Sequence, residues 1–97
     1  MIYKSFEWDE AKEALNIQKH NVSFKEATKA FLDGNRYITK DVKHSGAEKR
    51  WFCFGKTQKG ILTVRFTYRE ERVRIFGAGY WRNGIKKYER RRNERDL

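Results

Sequence analysis

Basic and aromatic residues alternate through the second half of the chain, at Arg50-Trp51, Arg65-Phe66, Tyr68-Arg69 and Tyr80-Trp81-Arg82. A guanidinium grips phosphate oxygens through forked hydrogen bonds, and an exposed ring stacks on an unpaired base. The mixture therefore suits single-stranded RNA better than duplex DNA. The same composition also arises when half of the rings fill a core and the arginines are merely solvated. RNA can be cut from such a surface without a metal, because the 2′-hydroxyl beside the scissile phosphate is an internal nucleophile. The protein must remove its proton, steady the added negative charge on phosphorus and protonate the leaving 5′-oxygen. Arginines meet the middle demand. For proton transfer the candidates are Glu48, His44, Lys49 and Lys56, with an ordinary surface role as the competing reading of His44.

Other chemistries find no footing. His20 and His44 lack a third ligand at metal-binding spacing, and the single cysteine, Cys53, excludes an internal disulfide and a sulfur cluster. Cys53 falls within an expected strand, away from any helix terminus that would activate a thiol. Gly77-Ala78-Gly79 does not open a helix as a phosphate loop does. Neither a metal nor another cofactor is expected. The 97 residues carry 23 Lys and Arg against 13 Asp and Glu, a net charge of +10. That charge is uneven, at −1 over residues 1–34, +7 over 35–81 and +4 over 82–97. A polyanion is the natural partner. No run is apolar enough for a membrane span or a signal peptide, so the expectation is a cytoplasmic protein without a membrane partner.

The elements that position these residues follow from periodicity. Trp8, Ala11, Ala14, Leu15 and Gln18 have the spacing of an amphipathic helix from about Asp9 to His20, stopped by Asn21. Ser23 and Glu26 form a capping-box signature for a second helix, with Phe24, Ala27 and Phe31 on one face and Asp33-Gly34-Asn35 at its end. The period then changes from near four to two, and strands are expected at 37–42, 50–56, 61–69 and 72–78. In the third of these, Leu62, Val64, Phe66 and Tyr68 alternate with Thr63, Arg65, Thr67 and Arg69; in the fourth, Val73 and Ile75 alternate with Arg72 and Arg74. Residues 83–97 suit a basic C-terminal helix or tail, loosely docked through Ile85 and Tyr88. The expected architecture is one α+β domain over 1–97: two N-terminal helices on an antiparallel sheet of about four strands, then a C-terminal helix. Arg65, Arg69, Arg72 and Arg74 should emerge together on the sheet face turned away from the leading helices. On that face Arg69 and Arg74 are assigned to catalysis with Glu48 and His44, and Arg50, Lys56, Arg65, Arg72, Arg82 and Trp81 to RNA binding.

The run Phe6-Glu7-Trp8-Asp9-Glu10-Ala11-Lys12, continued by Asn16, Lys19-His20-Asn21-Val22-Ser23-Phe24 and Glu26-Ala27, resembles the BrnT family of bacterial type II toxins. Glu48-Lys49-Arg50-Trp51, Gly55-Lys56-Thr57, residues 63–69 and Arg72-Val73-Arg74-Ile75 look like its sheet segment. The resemblance implies a RelE-like fold and a ribonuclease that suppresses translation. It also implies neutralisation by a BrnA-like antitoxin, with operator DNA reached only through the antitoxin complex. A non-catalytic RNA-binding or ribosome-associated module is the alternative. One departure stands out: where many members carry Ile-Ser-Ala-Arg after the fourth strand, this chain has Phe76-Gly77-Ala78-Gly79, which implies either Arg82 as a substitute for the missing arginine or a weaker activity. Trp8-Asp9 and Lys19-His20 are given structural roles, in packing and at helix ends.

Overall fold

A computed structural model describes residues 2–95. Two short strands, β1 (Ile2–Tyr3) and β2 (Phe6–Trp8), precede helix α1 (Glu10–His20). Helix α2 (Phe24–Ala27) runs into a 3-10 turn at Thr28–Leu32. Strands β3 (Tyr37–Lys40), β4 (Trp51–Thr57), β5 (Gly60–Arg69) and β6 (Arg72–Gly79) follow, then helix α3 (Arg82–Arg95). The caps are those the sequence signals. The Asp9 carboxylate accepts from the Ala11 and Lys12 amides, Asn21 takes the left-handed conformation, and Ser23 Oγ accepts from the Glu26 amide.

The α+β class holds, but the sheet is larger than four strands and is not wholly antiparallel. Its order is β1-β2-β6-β5-β4-β3, with β2 parallel to β6. Trp8 does not begin the α1 stripe. It lies in β2 opposite Ile75 and is buried edge-to-face against Phe24. The rest of the expected stripe, Ala11, Ala14, Leu15 and Gln18, is exposed, with Leu15 53% accessible.

The core forms on one sheet face. Leu62, Val64, Phe66, Ile75 and Cys53 pack there against Phe24, Ala27 and Ala30 from α2 and the 3-10 turn. Directly opposed residues of an antiparallel pair share a face. The other face therefore carries Arg65 opposite Gly77, Thr67 opposite Arg74 and Arg69 opposite Arg72. The arginines do gather on one side, away from α2. Helix α1 corrects the expectation, because it does not pack under the opposite face with α2. It stands along the edge of β6, where β2 has ended.

The Asn16 side chain supplies the hydrogen bonds of that edge contact. The Asn16 amide donates to the Ala78 and Val22 carbonyls, both at 2.9 Å, while its Oδ1 accepts from the Ala78 amide at 3.1 Å. The buried carboxamide thus replaces a strand neighbour for Ala78, satisfying main-chain groups that would otherwise be desolvated and unpaired. Asn16→Ala is expected to cost about 2–4 kcal/mol by orphaning these groups. For a chain of this size that lowers the melting temperature by roughly 10–20 °C. An unchanged melt would refute this account of the helix edge.

The C-terminal helix is also better anchored than its composition implies. Gly84 lies so close over Thr63 and Phe54 that a side chain there would overlap the Thr63 hydroxyl. Tyr88 is buried and donates to Asp33 at 2.5 Å. Burial opposes ionisation of the Asp33 carboxyl, but hydrogen bonds from Tyr88 and from the Lys56 and Asn35 amides outweigh it and hold the group below its ordinary range.

Candidate nucleic-acid interface

The arginine face is shaped by β6, by the β3–β4 loop and by α1. A bulge interrupts the β5–β6 register between Arg65 and Phe66. Arg65 opposes Gly77 and Phe66 opposes Ile75, which leaves Phe76 as the extra residue. The bulge keeps Ile75 facing the core while Phe76 joins Arg65 on the arginine side, lining the same cleft.

The loop over residues 41–50 folds back across the sheet because its own polar groups close it. The Asp41 amide donates to the Arg50 carbonyl at 2.7 Å, Ser45 Oγ donates to the Asp41 carbonyl at 2.6 Å, and the Arg50 amide donates to Ser45 Oγ at 3.0 Å. Thr67, although on the polar face, is buried beneath this loop and donates to the Lys49 carbonyl at 2.6 Å. The loop thereby delivers Glu48 to Arg69, with Nη2 to Oε2 at 2.9 Å, and brings the Arg50 guanidinium to 4.6 Å from the Phe76 ring centre. The Glu48 hydrogen bond holds the Arg69 guanidinium above its ordinary pKa.

A second carboxylate comes from β2. Glu7, opposite Arg74 in the parallel register, accepts from Arg74 Nη1 at 2.6 Å, and both side chains are about four-fifths buried. Arg69 also feels the charges of Glu7 and Glu70. The face therefore carries alternating charges, Glu7 with Arg74 and Arg69 with Glu48. Charge-assisted bonds of this kind fix a guanidinium while leaving its other donors to meet a phosphate.

Of the ten residues singled out from sequence, six enter the two ion pairs, the Phe76 contact or the cleft beside it: Arg69, Arg74, Glu48, Arg50, Arg65 and Trp81. Arg72 shares their face by register and lines a hollow with Lys4, Ser5, Glu70 and Glu71 at the β5–β6 turn. Arg82 is exposed at the start of α3. Lys56 shares this face by register, opposite Ile61, but stands at its far end, where it lines a separate hollow with Tyr88 and Arg92 of α3. His44 bonds through Nδ1 to Asp41 at 3.0 Å and so belongs to the scaffold of its own loop. The Cys53 thiol, pushed up to about 12 by burial, is inert core.

Sequence reasoning missed Glu7, Phe76 and the inward face of α1. Lys12, Asn16 and Lys19 recur at helical spacing, and that signal marks one polar stripe. The stripe faces a cleft of about 220 Å³, which His20 and Trp81 also line. His20 does end its helix, and its ring in addition meets the Trp81 indole edge-to-face at 5.1 Å. A Cβ at Gly79, the position of the departure noted in the sequence, would overlap the Trp81 indole. The indole fills the space in which a side chain at position 79 would begin.

A mixed sheet with α2 and the 3-10 turn against its core face, α1 along its edge, α3 over the Thr63 and Phe54 end of its arginine face, and carboxylates bonded to the arginines left beside it defines a small basic α+β protein. No helix among the described residues is long and apolar enough to cross a membrane. Residues 8–84 match the family described as "Ribonuclease toxin, BrnT, of type II toxin-antitoxin system", and the chain belongs to that family. A search of curated proteins finds no match.

Proposed function

We propose that the protein is a RelE-like, metal-independent endoribonuclease of the cytoplasm that inhibits translation and is neutralised by a BrnA-like antitoxin. The observation that carries this reading is the pairing of Arg69 with Glu48 and Arg74 with Glu7 on one sheet face. In the proposed reaction the 2′-oxygen attacks phosphorus, its proton passes to Glu48, and the negative charge gathering on the phosphoryl oxygens is met by Arg69 and Arg74. The bond to the 5′-oxygen then breaks, and that oxygen is protonated by water. The products are a 2′,3′-cyclic phosphate and a free 5′-hydroxyl. Glu48 is favoured over His44 as proton acceptor because it touches an arginine of this face, whereas the His44 ring is turned to Asp41.

The antitoxin would cover the same face. Its carboxylates would replace RNA phosphates, and its apolar residues would meet the exposed Leu15 and Ile17 of α1. Binding to operator DNA would then belong to the complex, through the antitoxin.

Incubating the purified protein with single-stranded RNA in chelator tests the reading. Cut product is expected, with RNA affinity falling as salt rises because neutralised phosphates release counterions. Binding without cleavage at stoichiometric protein would replace it with the non-catalytic RNA-binding or ribosome-associated module.

A further inference from the structure

The cleft between α1 and β6 differs from the rest of the arginine face. Arg69 and Arg74 are each bonded to a carboxylate, whereas none of the described side chains lining this cleft is acidic. Lys12 and Lys19 reach it from α1, and Arg65 reaches it from β5. These cations are held together by the Asn16 bridge to Ala78, which fixes the helix against the strand. Their mutual repulsion is relieved when an anion enters.

Two flat rings complete the site, and each is placed there by a backbone feature. Phe76 is the bulged residue of β6, with Arg50 at 4.6 Å and Lys12 at 5.1 Å from its centre. Trp81 leans over Gly79, where the lack of a side chain admits it, and its orientation is set by the edge-to-face contact with His20. The cleft, at about 220 Å³, is below the roughly 300–1,000 Å³ of sites for drug-sized ligands and suits one planar base with its phosphate.

We propose that this cleft binds one nucleotide of single-stranded RNA, with the base against the rings of Phe76 and Trp81 and the phosphate between Lys12, Lys19 and Arg65. The inference rests on the ribonuclease reading of the adjoining face and adds the place where one substrate nucleotide is held. Every base has a stackable face, so the subsite tolerates different sequences but requires a base.

The test compares a fluorescent 2′-O-methyl octanucleotide, which has no free nucleophile, with an abasic octamer of the same backbone. Titrating each into the wild-type protein and following anisotropy is expected to show about tenfold tighter binding of the base-bearing strand, the scale of one stacking contact. The double variant Phe76→Leu/Trp81→Leu should lose that preference and keep its salt-dependent affinity for the abasic strand. Arg65→Ala should weaken both strands together. Equal wild-type affinity for the two strands overturns the subsite without relying on any variant, as does a folded double variant that retains the preference. In either case cleavage of ordinary RNA by the wild type would leave the ribonuclease reading standing. Failure of the wild type to bind or cut any RNA would remove both.

Discussion

Arg74→Ala is expected to lower RNA cleavage by roughly 10²- to 10³-fold, the scale seen when one preorganised charge-stabilising donor is removed. Induced expression should then no longer arrest bacterial growth. The size of the effect comes from how Arg74 is held rather than from its charge alone. The face is rich in cations, so a mobile guanidinium could be replaced by a neighbour. Arg74 instead sits midway along β6, opposite Thr67, and its Nη1 is fixed by Glu7 at 2.6 Å in a partly buried pair. Its free donors therefore point in one direction before substrate arrives, and no reorganisation is needed when charge develops on phosphorus. Glu7→Gln should fall between wild type and Arg74→Ala, because the amide oxygen still accepts a hydrogen bond but no longer attracts the cation. Removing Arg74 leaves Glu7 without its partner, so thermal melts must accompany the assay. A folded Arg74→Ala protein that cuts RNA at the wild-type rate would move charge stabilisation away from this pair.

What could be read from sequence was what depends on neighbours in the chain. Asp9, Asn21 and Ser23 announce their helix boundaries because capping acts over two or three residues. The alternation from Leu62 to Arg69 assigns one face to the core and the other to cations whatever the neighbouring strand is. The placement of Trp8 was not legible. A three-residue strand has almost no period, and Trp8 joins the sheet through a parallel pairing with Ile75 far along the chain. Reading Trp8 as helical drew Ala11, Leu15 and Gln18 into an apolar stripe that is in fact exposed, and concealed the polar stripe of Lys12, Asn16 and Lys19 that faces the sheet. The candidate site divided in the same way. Arg65, Arg69 and Arg74 follow from strand period, whereas Glu7 depends on the unseen strand and Phe76 on a bulge that shifts the register by one residue. Glu48 was named for its chemistry, but its contact with Arg69 depends on a loop closed by Asp41 and Ser45.

Gly55→Ala is expected to destabilise the protein by about 3 kcal/mol or more, beyond the usual cost of overpacking. It should appear as an insoluble product or a melting temperature lower by roughly 12 °C or more. Gly55 lies in β4 opposite Leu62, and the 3-10 turn crosses directly over it. A Cβ there would overlap the Ala30 carbonyl oxygen and stand 2.7 and 2.8 Å from the Ala30 carbonyl carbon and Cα. All three atoms are backbone, so no rotamer change relieves the clash, and the turn itself must lift. Lifting it would withdraw Ala30 and Phe31 from the core, and Phe31 from the rings of Phe6 and Phe66 on which it packs at 5.2 Å. The core face would open while the arginine face kept its composition, so the variant separates stability from substrate binding. Gly34→Ala is the control, because a Cβ at Gly34 meets no atom within 4 Å. Equal melting temperatures for Gly55→Ala and wild type would mean that the turn and strand do not approach this closely in solution. Equal losses in both glycine variants would assign the effect to chain flexibility in place of packing.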